Sequence, residues 1–273
     1  MKRVKEIVHY GRPGYYGKDI TVVVMDTGME PHPDLGDNLW KFKDFINGRM
    51  LPYDDNGHGT HVAGIIGGRK YGMAPLCRLI VLKVLGSGGN GDVIQSMKGF
   101  RWIIENQEKY NIRVVNISMG MKRDTNKIGE KRILAAVDVL WRAGIVVVAA
   151  AGNYGPREGS ITIPGLHPSI ITVGSYDERY SGRGSSMEHI WKPDVVAPGR
   201  KIVSCNVDGN YIAKSGTSMA TPVVSGAITL LLSKYPNLTN DEIKRKLRHS
   251  CDDLGLSGVQ QGSGLLNIQK FMH

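Results

Sequence analysis

Three short segments, far apart along the chain, each contain one side chain of a kind that acyl-transfer chemistry needs. The segments are residues 22–28 (VVVMDTG), 57–64 (GHGTHVAG) and 215–222 (SGTSMATP). They supply Asp26, His58 and Ser218. A serine hydroxyl becomes an effective nucleophile when a neighbouring base removes its proton, and a carboxylate can orient that base. The segments therefore predict a catalytic triad in the order Asp…His…Ser, which differs from the chymotrypsin and α/β-hydrolase orders.

Each of these residues also has an ordinary structural interpretation. Ser218 could cap the apolar helix that follows it, and Asp26 could end a strand in a turn. His58 and His61 could form a metal pair, but their H-x-x-H spacing lacks the glutamate of the zinc-protease motif. We therefore interpret His61 as a packed structural histidine. All three segments in one order favour the triad.

In these three segments the chain resembles the subtilisin-like serine proteases (subtilases), and the resemblance extends from about residue 16 to about residue 266. It implies a serine endopeptidase that hydrolyses peptide bonds through an acyl-enzyme intermediate. It also implies that Asn153 supplies the side-chain hydrogen bond to the oxyanion, with the backbone N–H of Ser218 as the second donor.

The resemblance further implies two backbone edges that hold the substrate as an extra strand, a grip that tolerates many sequences. The edges are Gly89, Asn90 and Gly91 on one side, and Ser118, Met119 and Gly120 on the other. Met121 stands where the family usually has a second glycine, so we expect a narrower or differently shaped cleft floor. Val93 and Ser96 fall where the family lines a more distant pocket, and Thr162 falls near the primary specificity pocket.

Short apolar runs alternate with longer amphipathic segments along most of the chain. Predicted strands cover residues 20–25, 79–84, 113–117, 145–150 and 170–173. Predicted helices cover residues 58–67, 92–110, 129–143, 217–234 and 240–248. Apolar strands separated by helices predict a parallel sheet covered on both faces. The expected fold class is α/β: a single-domain, subtilisin-like three-layer sandwich with a mostly parallel twisted sheet, spanning residues 1–273 as one peptidase domain.

The candidate functional residues fall at one edge of this predicted sheet. Asp26 ends the first strand, Ser118 follows the third and Asn153 follows the fourth, whereas His58 and Ser218 open helices. Ligands of such sheets bind beyond the carboxyl ends of the strands. This shared edge therefore supports one common site.

Composition excludes several other classes of protein. At 273 residues, with 41% hydrophobic and 22% charged residues, the chain can bury one large core. No apolar run reaches the roughly 18 residues of a membrane helix, and the start (MKRVKE) lacks the apolar stretch of a signal peptide. The net charge of +10 comes from scattered basic residues. We therefore expect polypeptide substrates, no nucleic-acid partner and no membrane partner, and we leave the oligomeric state open.

The three cysteines bear on the compartment. Cys77, Cys205 and Cys251 form an odd, sparse set, which argues against a disulfide framework and for a reducing environment. The segment after the His58 helix leaves no room for the calcium-loop insertion of many secreted relatives, and no prodomain is visible. These features resemble the intracellular bacterial subtilases, so we expect a cytoplasmic protein. The alternative is a secreted protein that has lost its leader and prodomain.

No cofactor and no catalytic metal are expected for catalysis. Asp34 matches a calcium ligand of the family, but the rest of that cage is missing. The carbonyl groups of residues 165–170, with Asp194, leave room for a weak structural cation site, either monovalent or calcium.

Two other functions fit parts of the sequence. Residues 86–91 match the G-x-G-x-x-G motif of dinucleotide-binding proteins, but the acidic residue expected about 20 residues later at a strand end is absent. A catalytically silent subtilase-like scaffold with a binding or regulatory role would be expected to have lost a triad residue, and none is lost. Peptide hydrolysis is the favoured function.

Overall fold

Seven strands form one parallel sheet in the middle of the fold. The computed structural model describes residues 1–123, 127–177 and 179–273. The strands are β1 Thr21–Asp26, β2 Leu39–Asp44, β3 Arg78–Lys83, β4 Ile112–Ile117, β5 Val146–Ala150, β6 Ile171–Ser175 and β7 Val195–Ala197. They lie in the order β2-β3-β1-β4-β5-β6-β7, and all neighbouring pairs are parallel. Every residue of β1 and β5 is buried, so both faces of the central sheet are covered.

Helices cover the sheet. They are α1 Lys2–Ile7, α2 His58–Gly67, α3 Val93–Asn106, α4 Lys127–Arg142, α5 Thr217–Lys234, α6 Asn240–His249, α7 Gly258–Gln261 and α8 Ile268–Met272. The apolar helix α5 packs on α2 and on strands β4 to β7, whereas α3 packs on α4. The result is the α/β architecture with a parallel sheet that the sequence predicts. Within the described ranges, no helix has both the length and the apolar character needed to cross a bilayer.

A two-stranded antiparallel hairpin lies apart from the main sheet and packs on α2. Its strands are β8 Ile202–Cys205 and β9 Tyr211–Lys214. His61 of α2 is fully buried beneath it, with Nε2 at 3.0 Å from the Ile202 carbonyl oxygen and 3.1 Å from that of Ile212. The interpretation of His61 as a packed structural residue is therefore confirmed.

The bounds of the predicted elements differ from the observed ones in a few places. Helices α2 and α5 have the predicted bounds, and the five predicted strands begin within one residue of the observed ones. The helix predicted for residues 92–110 ends at Asn106, and the chain continues in turns to Tyr110, whose ring stacks on Trp102. The sequence interpretation missed β2, β7, the hairpin and the short helices α1, α7 and α8.

Candidate active site

The fold brings the three predicted triad residues to one cleft. Asp26 is the last residue of β1, His58 opens α2, and Ser218 lies in the first turn of α5. Asp26 is fully buried, and its Oδ1 lies 2.7 Å from His58 Nδ1. His58 and Ser218 both line a cleft of about 390 Å³. Segments separated by up to 192 residues therefore meet at the carboxyl end of the sheet.

Asp26 sets the chemical state of the His58 ring. Burial of the ring disfavours the imidazolium and would lower its pKa, but the charge of Asp26 and the hydrogen bond to it outweigh that effect. The pKa of His58 is therefore raised above its ordinary value. Since Nδ1 donates to the carboxylate, Nε2 is left as the basic nitrogen of the neutral ring.

A second buried carboxylate holds the loop that carries His58. Asp54 accepts hydrogen bonds from the backbone N–H groups of Gly57 and Thr60 and from the hydroxyl groups of Thr27 and Thr60. Burial would raise the pKa of Asp54, but these donors outweigh it and the pKa is lowered. Thr27 also donates its N–H to Asp26 Oδ1 at 2.7 Å. The two loops that present Asp26 and His58 are therefore fixed to each other.

A fully buried lysine, Lys83, joins the same two loops to the segment that leads into the predicted substrate edge at residues 89–91. Lys83 Nζ donates to the carbonyl oxygens of Thr27 and Leu85, at 2.5 and 2.9 Å, and to Asp55 at 2.6 Å. Its ammonium group also lies over the Tyr53 ring, 5.0 Å from the centroid. One buried cation therefore contacts three loops around the cleft.

The backbone of Ser218 is held by a chain of buried polar groups. Pro222 has no N–H to donate to the Ser218 carbonyl, its usual partner one helical turn earlier. The Ser118 hydroxyl supplies the missing donor at 3.0 Å. Asn116 donates to Ser118 Oγ and accepts from Ser225 Oγ of α5. The end of β4 and helix α5 are thereby joined at the candidate nucleophile.

Thr217 fixes the orientation of Asn153. The Asn153 Oδ1 accepts from the Thr217 N–H at 3.0 Å and from the Thr217 hydroxyl at 3.1 Å. Because both donors take the oxygen, the amide NH₂ group remains available to another acceptor. The Ser218 N–H belongs to the first turn of α5, where N–H groups have no partner within the helix. An oxyanion beside Ser218 could accept from both groups.

Both predicted substrate edges line the same cleft. Gly89, Asn90 and Gly91 border it together with Ser118, Met119 and Gly120. Val93, Ser96 and Met121 line it as well. The Met121 backbone pairs with Ile163 through two hydrogen bonds of 2.9 Å, so the segment that follows the Ser118 edge is anchored.

The glycine-rich loop at residues 86–91 is not arranged as a phosphate cradle. The helix after it begins at Val93, and the carboxylate of Asp92 caps its N-terminus by accepting from the Ile94 N–H at 3.3 Å. A negative side chain thus occupies the place where a helix N-terminus would bind pyrophosphate.

Lysine side chains surround the oxygen atoms of the candidate cation site. Lys244 Nζ donates to the carbonyl oxygens of Pro168, Ser169 and Ile170 and lies 3.1 Å from Asp194. Lys192 Nζ, nearly buried, lies 2.6 Å from Asp194 and also donates to Ile170. A metal ion would have to compete with these two ammonium groups for the same oxygen atoms.

Several residues of the site were not found from the sequence. Thr27, Asp54, Lys83 and Thr217 act through contacts between loops that are distant along the chain. Thr27 and Thr217 each adjoin a predicted triad residue, which is the one signal that the sequence offers for them. Asp54 and Lys83 have no comparable signal.

Known proteins with similar sequences define the class to which this chain belongs. Residues 17–265 match the Subtilase family, Peptidase_S8. The chain therefore belongs to the subtilase family of serine proteases.

Individual relatives and a solved structure agree with this assignment. The chain is 37% identical to serine protease AprX of Bacillus subtilis (strain 168), over 91% of this chain and 64% of AprX. It is 38% identical to subtilisin of Bacillus pumilus, over 94% of this chain and 92% of that protein. It also resembles the crystal structure of a cold adapted subtilisin-like serine proteinase, with a TM-score of 0.80 and 32% identity over 93% of this chain and 90% of that one. The predicted subtilisin-like fold is confirmed.

Proposed function

We propose that this chain is a serine endopeptidase in which Asp26, His58 and Ser218 form the catalytic triad. The observation that carries the proposal is the 2.7 Å contact between Asp26 and His58 in the cleft that Ser218 also lines. Family membership supports peptide hydrolysis as the reaction. Polypeptides are the corresponding substrates.

The geometry supports a role for each group. His58 Nε2 takes the proton of the Ser218 hydroxyl as its oxygen attacks the peptide carbonyl, and then gives the proton to the leaving amine. Asp26 holds the ring by Nδ1 and stabilises the imidazolium. The amide of Asn153 and the N–H of Ser218 donate to the oxyanion, after which water hydrolyses the acyl-enzyme by the same steps.

The substrate backbone is proposed to pair with the edges formed by Gly89, Asn90 and Gly91 and by Ser118, Met119 and Gly120. Backbone pairing would hold the peptide extended across the cleft. This arrangement supports cleavage within a chain, because backbone pairing at the two edges does not depend on a terminal group of the substrate.

A nucleophile substitution tests the proposal. We expect Ser218→Ala to lower kcat on an end-blocked fluorogenic peptide by about a millionfold, the size measured for the nucleophile of subtilisin. Ser215→Ala is the matched control, because Ser215 is exposed and its hydroxyl accepts from the Lys201 N–H away from the cleft. Folded wild-type protein without turnover would instead indicate a binding or regulatory scaffold.

Cysteine chemistry supports a further proposal, that the protein works in the reducing cytoplasm. Cys77, Cys205 and Cys251 are all free thiols, and the first two are buried. Subcellular fractionation of the source cells would test the location, and recovery of the active protein from the medium would contradict it.

A further inference from the structure

A proline near the start of α5 changes how the backbone of the candidate nucleophile is held. Pro222 lies one helical turn after Ser218 and has no N–H to donate to the Ser218 carbonyl. The donor comes from another segment instead, because the Ser118 hydroxyl donates to this oxygen at 3.0 Å. The peptide plane of the Ser218 carbonyl sets the ψ angle of that residue. A side chain beyond the end of β4 therefore limits how far the backbone of Ser218 can turn.

Two further buried side chains determine where the Ser118 hydroxyl points. Asn116 donates from Nδ2 to Ser118 Oγ at 2.9 Å, and its Oδ1 accepts from Ser225 Oγ at 2.8 Å. Asn116 and Ser225 are fully buried, and Ser118 is nearly so. We call Ser225, Asn116 and Ser118 the relay. Its hydrogen bonds run in one direction, from α5 through the end of β4 and back to the Ser218 carbonyl.

The orientation of the Asn116 amide decides whether the relay reaches Ser218. A serine hydroxyl has one proton to donate. If the amide oxygen faced Ser118, that proton would go to Asn116 and the Ser218 carbonyl would lose its donor. The Ser225 hydroxyl donates to the amide oxygen and so favours the orientation in which the NH₂ group faces Ser118. A serine two turns along α5 thereby acts on the backbone of the nucleophile.

The relay also joins the nucleophile to the segment that is proposed to hold the substrate. Ser118 begins the edge that continues to Gly120, and it lines the cleft together with Ser218. The edge sets the position of the peptide carbonyl, whereas α5 sets the position of the attacking oxygen. The bond from Ser118 to Ser218 connects the two directly. A misplacement of about 1 Å between reacting groups can lower a rate by about 100-fold.

We propose that Asn116 and Ser225 are positioning residues for the nucleophile, which act through Ser118 by keeping its hydroxyl directed at the Ser218 carbonyl. Both are fully buried, so they act on the reaction through Ser118 rather than through the substrate. The inference rests on the proposed peptidase function and adds two residues to its site.

A substitution of Pro222 separates this role from simple packing. Pro222→Ala gives α5 an N–H that can donate to the Ser218 carbonyl, so the relay is no longer needed. We expect Ser225→Ala to lower kcat on an end-blocked fluorogenic peptide by about 3- to 10-fold, the size of one neutral hydrogen bond, with KM nearly unchanged. Ser118→Ala should lower kcat by about 10- to 100-fold. In the Pro222→Ala protein, each of these changes should lower kcat by less than about twofold.

Thr229→Val is the matched control. Thr229 is fully buried in α5, and its hydroxyl donates to the Ser225 carbonyl oxygen, outside the relay. This variant should keep the wild-type kcat. If Ser225→Ala does not fold, Asn116→Leu takes its place in the same comparison.

Three results would overturn the inference. One is a wild-type kcat in the folded relay variant. Another is an equal fall in kcat with proline and with alanine at position 222, which would show a packing effect. The third is a fall of the same size in Thr229→Val. A wild-type protein that neither cleaves peptides nor reacts with a small fluorophosphonate would overturn the proposed peptidase function itself and this inference with it.

Discussion

The buried histidine beneath the hairpin should make the fold sensitive to mild acid. His61 is fully buried, and its Nε2–H faces the carbonyl oxygens of Ile202 and Ile212. Its other nitrogen, Nδ1, has no partner among the described residues. Burial lowers the pKa of His61 from 6.5 to about 4, although the two carbonyl contacts favour the protonated ring.

The size and sign of the effect follow from this pKa. Between about pH 6.5 and about pH 4 the unfolded chain binds a proton at His61 and the folded chain does not. The free energy of unfolding therefore falls as the pH falls through this window, by about 1.4 kcal/mol per pH unit. The full loss is about 3 kcal/mol. This corresponds to a fall of roughly 5–6 °C in the thermal midpoint of a chain of this size.

The assay compares Ser218→Ala with the double variant Ser218→Ala/His61→Gln, so that autolysis does not interfere. Glutamine keeps an N–H donor for the hairpin carbonyl groups but does not titrate. Thermal midpoints at one scan rate from pH 7 to pH 4 should fall less steeply in the double variant. Parallel curves would refute the reasoning, because they would show that the native protein does not hold His61 as a buried neutral ring.

Three lysines give further predictions. Lys214 contacts the Gly57 carbonyl, and its charge lowers the pKa of His58. Lys214→Gln should therefore move the acid limb of kcat/KM to higher pH at low salt, so that kcat/KM falls at pH 6 and stays unchanged at pH 9. Lys83→Met should lower the free energy of unfolding by about 2–3 kcal/mol, because two buried carbonyl groups lose their donor. It should also lower kcat more than it raises KM. Equal kcat and KM in the variant and the wild type, at a temperature where both are folded, would contradict the role of Lys83 in holding the loops around the cleft. Lys244→Met should lower the thermal midpoint without changing kcat/KM. Added KCl or CaCl₂ should raise the midpoint of the variant more than that of the wild type. An equal response of both proteins to salt would count against competition between lysine and metal ions at the oxygen atoms of the candidate cation site.

Elements with a strong local pattern were predictable from the sequence. The buried strands β1 and β5 are runs of apolar, mostly β-branched residues, and α5 is rich in apolar residues and buried along nearly its whole length. Strand β2 was missed because it lies at the sheet edge and only two of its six residues are buried, so it lacks such a run. The hairpin was also missed, although Asp208-Gly209 between its strands is a turn signal that could have indicated it.

The site was predictable only as far as its residues lie in recognisable segments. Asp26, His58, Ser218 and Asn153 stand in such segments, and the fold places them at one edge of the sheet. The positions of Asp54 and Lys83 depend on contacts between loops that are distant along the chain. Those relations arise from packing between distant segments, which residue spacing alone does not encode.

Chemical labelling of the serine is the most direct measurement of whether Asp26, His58 and Ser218 work as one unit. A fluorophosphonate probe followed by mass mapping should find one adduct, on Ser218, in the wild-type protein. The labelling rate should fall by at least about 1,000-fold in folded His58→Ala, because the general base is lost. An unlabelled wild-type protein, an adduct on another serine, or an equal rate in His58→Ala would contradict the triad.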